Sequence, residues 1–158
     1  PDDVKGTTPA TPIPFKQINF DRLLNYDQQG VNELLSKTQK LIVPLVKRTT
    51  VITTIGVAEE DQGVYKVSDL INHQYHKELN SLPNHIKQSE FNNLTIIYVP
   101  NVNTIVYMEA NGMSYTSYKG RNVRESIMIN DLLKLLKVDA ERFQQQYGNQ
   151  LKEGKLLN

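Results

Sequence analysis

Leu94 to Tyr118, LTIIYVPNVNTIVYMEANGMSYTSY, is the stretch on which the fold turns. β-branched and aromatic residues recur in three runs, LTIIYVP, TIVYMEA and MSYTSY, as strands require. Asn101-Val102-Asn103 separates the first two runs, and Asn111-Gly112 the second two. Asn-Gly supplies the two positive-φ residues of a type I′ turn, so a register follows. Ala110 faces Met113, Met108 faces Tyr115 and Val106 faces Ser117. Those residues form the expected core face. Ile105, Tyr107, Glu109, Ser114, Thr116 and Tyr118 form a mixed second face, on which Tyr107 and Tyr118 are partly exposed.

Toward the N-terminus, PNHIKQSEFNN (83–93) reads as a polar connection. Ser68 reads as a cap and Asp69 as a first-turn acid for a helix whose buried stripe is Ile71, Tyr75, Leu79 and Leu82, with Pro83 closing it. TTVITTIGV (49–57) and VYKV (64–67) are strands around the acidic turn EEDQG, a hairpin with a loop longer than two residues. Leu24, Val31, Leu35, Ile42 and Leu45 keep helical spacing, which predicts helix from an N-cap at Asn19, divided at Gly30 and ended by Pro44. Residues 1–19 hold four of the seven prolines. They read as an extended tether.

Toward the C-terminus, the basic loop KGRNVRE leads to a helix through MINDLLKLL, capped by Asn130. A short second helix, AERFQQQY, is capped by Asp139 and stopped by Gly148. The expected organisation is a tether (1–19), one domain (20–148) and a tail (149–158). The expected fold is α+β, an antiparallel sheet of about five strands with helices packed on it, in the order α-β-β-α-β-β-β-α. In element order alone the chain resembles the roadblock/longin/profilin-like group and PAS-like sensor domains, a likeness that carries no function.

The 158 residues suit a single core, and 39% apolar and 22% charged residues suit a soluble globular chain. A net charge of +1 gives no non-specific pull toward nucleic acid or anionic lipid. Absence of cysteine removes disulfides, thiolate metal sites and cysteine nucleophiles. The longest apolar run, LIVPLV, is far short of the ~20 residues of a spanning helix.

Tyr107 and Tyr118 beside Lys119, Arg121 and Arg124 form the candidate binding residues, because rings stack on bases or sugars while cations meet phosphates. The aromatics that a ribonucleoprotein motif places after its glycine are missing from KGRNVRES. His73 and His76 share one side of a helix but have no third ligand in pattern. Glu59 to Asp61 read as a solvated turn. There is no Gly-x-Ser-x-Gly elbow and no phosphate-cradling loop. The expectation is a non-catalytic protein-binding or assembly module without metal or cofactor, the soluble extracytoplasmic part of a bacterial envelope protein. A protein is the expected partner, and a membrane is met only through a segment outside this chain. The alternatives are a nucleic-acid-binding domain on the Tyr107/Tyr118 face and Lys119–Arg124 loop, and a small hydrolase of unrecognised motif.

Overall fold

A computed structural model describes residues 4–37, 40–68 and 70–152. The strands are β1 (Thr8–Pro9), β2 (Ile13–Gln17), β3 (Lys40–Lys47), β4 (Thr50–Asp61), β5 (Val64–Val67), β6 (Leu94–Val99), β7 (Thr104–Glu109), β8 (Met113–Thr116) and β9 (Ile127–Met128). The helices are α1 (Phe20–Leu24), α2 (Tyr75–Ser81), α3 (Asn84–Gln88) and α4 (Ile129–Lys152). All nine strands join one sheet in the order β5-β4-β3-β2-β6-β7-β8-β9, with β1 also beside β3. β2 runs parallel to β6, and the other pairs are antiparallel. The expected five-stranded antiparallel sheet is therefore corrected to a nine-stranded mixed one. Its element order differs too, and the likeness to roadblock/longin/profilin-like and PAS-like domains goes with it.

Two misread prolines account for most of the difference. Pro44 lies inside β3 rather than ending a helix. Its carbonyl accepts from the Ala10 N–H at 2.9 Å. Its nitrogen, which cannot donate, falls between the paired stretches of β1 and β2, where no ladder pair is formed. Pro14 sits in β2 in the same permissive way. β2 buries Ile13 and Phe15 at the centre of the sheet, so the second half of residues 1–19 is core and not tether. The extracytoplasmic expectation leaned on that tether.

Smaller corrections follow from local chemistry. Asp61 pairs with Val64, so the β4–β5 loop is the two residues Gln62-Gly63, with Gly63 at φ +79°. The Ser68 N–H continues alongside β4 to the Gly56 carbonyl at 2.8 Å, and α2 starts only at Tyr75. Asp69 lies outside the described residues. The 83–93 connection contains α3, which buries Ile86. α4 passes Asp139 and Gly148 unbroken, so the tail begins no earlier than residue 153, outside the described residues.

The β7–β8 register is one residue off the expected one: Val106 pairs with Thr116, Tyr107 with Tyr115 and Met108 with Ser114. The Gly112 N–H donates to the Glu109 carbonyl (2.9 Å), and Gly112 takes φ +91°. Asn111 stays at negative φ, so this is a three-residue loop closed by a left-handed glycine, not a type I′ turn. The slip turns Tyr115 to the side of Tyr107.

Two cores result, one on each face. Ile97, Val99, Val106 and Met108 pack against Leu23 of α1 and Leu132, Leu133 and Leu136 of α4. Ile13, Phe15, Ile42, Ile96, Ile105 and Tyr107 pack against Tyr75 and Leu79 of α2 and Ile86 of α3. Gly56 lets α2's entry segment close on β4. A Cβ there would lie 2.4 Å from Leu70 Cγ and 2.7 Å from the Ser68 carbonyl oxygen.

Candidate functional site

Two features stand out from the surface, a polar cleft and an uncovered sheet face. The cleft, about 460 Å³, opens beside the turn that follows β8. Ser117, Tyr118 and Lys119 form one wall, and Lys119 holds φ +52°. His73 lies on the opposite side, with Asp139 and Arg142 of α4 at the rim.

Two carboxylates organise this cleft. Glu78 of α2 accepts from His73 Nε2, from the Tyr107 hydroxyl at 2.9 Å and from the Ser117 side chain. Burial pushes the Glu78 carboxyl up, but the donors from His73, Ser117 and Tyr107 outweigh it and hold it below its usual value. Burial, then the charge of Glu78, raises the Tyr107 hydroxyl well above its ordinary range. Asp139 accepts from the Tyr118 hydroxyl, from Lys119 Nζ at 3.1 Å and from Arg142 Nη1 at 3.2 Å. A third cluster repeats the pattern: Glu109 accepts from His85 at 2.9 Å and from the Tyr115 hydroxyl at 2.7 Å. Burial and the Glu109 contact push the Tyr115 hydroxyl up to about 12. Each carboxylate ties a helix or strand to the neighbouring layer. The geometry is that of cross-braces.

The expected binding residues do not assemble into one surface. Tyr107 is fully buried and Tyr118 nearly so, hence neither ring can stack on a base. Lys119 lines the cleft but binds Asp139. Arg121 Nε is buried without a partner among the described residues. Arg124 turns away, donating from Nε to the Ser81 carbonyl at 3.2 Å. His73 and His76 do not act as a pair: His73 pairs with Glu78, and among the described residues no group of three His, Cys, Asp or Glu is placed to hold a metal ion. No helix among the described residues is long and apolar enough to cross a membrane.

The uncovered face belongs to β2–β5. Ile42 points toward α2 and α3, so Leu41, Val43 and Leu45 point to the other side. Their ladder partners Val57, Ile55 and Thr53 share that side, and Val67 and Tyr65 extend it along β5. α1 and α4 would have to cover it, but their core lies over β6–β8 and reaches β2 only at its end, at Ile18. Leu41, Val43, Leu45, Ile55 and Val57 belong to neither core, although each is only half-buried. Tyr65 is 53% and Val67 75% exposed. Lys16, Lys47, Thr50, Thr53 and Glu59 are polar side chains on the same side. Sequence reasoning missed this face, because LIVPLV reads the same whether its outer side is covered or bare. Comparison with known protein families, curated proteins and solved structures gives no match to this chain.

Proposed function

We propose that this chain is a protein-binding or assembly module whose docking surface is the bare apolar face of β2–β5. One observation carries the reading: apolar side chains from β3, β4 and β5 lie next to one another, half-buried on β3 and β4 and exposed at Tyr65 and Val67, on the side of the sheet where they join neither core. Contiguous apolar surface of this kind marks a site that a partner covers. Tyr65 at its edge is the type of aromatic anchor enriched in such interfaces. The face carries two lysines at opposite ends, Lys16 and Lys47, and one glutamate rather than the clustered cationic rim that a lipid surface selects, which favours a protein. The same surface has a simple physical origin. β3, β4 and β5 are joined by hairpins, so no crossover helix is available to cover them.

The test is a photoreactive amino acid placed at Ile55, in the centre of the face, with the same group at exposed Glu141 of α4 as control. One dominant crosslinked protein at Ile55, lost on adding Val43→Asp, is the expected result. Equal, diffuse crosslinking at both positions would sink the proposal.

A further inference from the structure

We infer that the occupant of the bare face is a second copy of this chain, related by a twofold axis parallel to the strands of β2–β5. This rests on the docking reading above and names its partner.

Shape is the first argument. The side of the sheet that carries the bare face also carries α1 and α4, over β6–β8 and the end of β2 at Ile18. Each protomer is thus thin on one half and thick on the other. Two copies can bring thin halves together only if each helical layer passes outside the partner's β5 edge. A twofold parallel to the strands does this, exchanging β2 with β5 and β3 with β4. A twofold across the strands would instead drive α4 into its own copy.

Register is the second. Pro14, Leu41, Val57 and Val67 stand level across the four strands, and Val43 is level with Ile55. The twofold keeps each level. It therefore lays Leu41 on Val57 of the partner subunit, Val43 on Ile55 of the partner subunit and Pro14 on Val67 of the partner subunit. Apolar meets apolar at each of these positions.

Charge is the third. Lys16 lies one residue past Phe15, which stands level with Lys40 and Ala58, and so falls at the height of the Glu59–Tyr65 pair. The same operation sets the Lys16 ammonium over the ring of Tyr65 of the partner subunit and beside Glu59 of the partner subunit. Symmetry makes this contact twice, joining a cation to both an aromatic face and a carboxylate.

Size sets the strength. Four strands about 4.8 Å apart and six steps of about 3.4 Å give a patch of roughly 400 Å². That is about half of what a standard interface buries on each partner, with the flank of the helical layer against the β5 edge adding to it. A weak, reversible dimer follows, to be sought between about 1 and 500 µM protein.

Sedimentation velocity of the full chain across that range is the experiment. The expected result is a concentration-dependent dimer. Lys16→Glu and Glu59→Lys should each weaken it about tenfold, and the double exchange should restore it, because the contact is re-formed with its signs reversed. Circular dichroism melts verify that each variant is folded. A dimer indifferent to these charges, or a double exchange as weak as the singles, overturns the proposed twofold. A chain that stays monomeric yet crosslinks from Ile55 to a different protein, or to its own residues 153–158, overturns self-association while docking on this face stands. A monomer without any specific crosslink at Ile55 overturns both.

Discussion

Replacing Glu78 by glutamine removes one charge from the middle of the cleft network and little else. The wild-type carboxylate is 15% exposed and receives His73, Tyr107 and Ser117. A hydrogen bond to an ionised acceptor contributes about 1 kcal/mol more than one to a neutral acceptor, so three such bonds lose about 3 kcal/mol. Relief from burying a charge works in the opposite direction and returns part of that loss. The net expectation is destabilisation by about 2 kcal/mol at pH 7. The pH dependence gives the sharper test. Glu78 titrates below its ordinary value of 4.5 in the folded chain. Its stabilising contribution is then complete above the unfolded value and disappears as pH falls through the folded one. Urea melts of both proteins at pH 7, 5, 4 and 3 should show a constant gap down to about pH 5 and a shrinking one below it. A gap that stays the same at pH 3 would show that the ionised carboxylate is not what holds α2 to β7. The reasoning about all three cross-braces would fail with it.

Gly56→Ala should cost about 1–3 kcal/mol in the same melts, since the new methyl group meets Leu70 and the Ser68 carbonyl; a neutral result would mean α2's entry segment is not seated on β4. Gly112→Val should cost about 1 kcal/mol or more through its φ of +91°. Tyr107→Ala should be at least as damaging as Met108→Ala, about 3–5 kcal/mol, because Tyr107 is the larger and more deeply buried of the two. A chain starting at Phe20 should lose its cooperative thermal transition, as β2 leaves a gap between β3 and β6.

The three runs between Leu94 and Tyr118 were legible because each carries its own local signal: β-branched residues, short turns and a glycine needing positive φ. α4 and the β4–β5 hairpin were legible in outline for the same reason. The register slipped by one because a type I′ turn and a three-residue loop closed by glycine both accept Asn-Gly, and only tertiary packing chooses between them. β2 was hidden by Pro14 and by the prolines that precede it. Its place in the sheet depends on pairing with a strand far along the chain, for which Ile13 and Phe15 carry no local mark. Val31, Leu35, Ile42 and Leu45 fit a helix by spacing alone, although β-branched Ile42 and Val43 argue for the strand that forms. The expected binding residues failed for a different reason. Alternation tells which residues share a face but not whether a helix covers it. Both faces of β7 are covered, while one face of β3, with an equally apolar sequence, is not.

The parallel pairing of β2 with β6 also sets the order in which the chain can assemble. Phe15 meets Ile96 only after β3, β4, β5, α2 and α3 have all been made. Closing so long a loop is entropically slow, and the folding rate falls as such distant contacts come to dominate. The hairpins of β3–β5 and the β6–β8 meander, both built from near neighbours in sequence, form early as separate halves. β2 is the seam that joins them. Until it closes, the inner edges of β3 and β6 stand open, two unpaired strand borders that could pair with another nascent chain. A strand of five residues that joins two locally built halves thereby governs both the speed of folding and the interval in which misassembly competes with it.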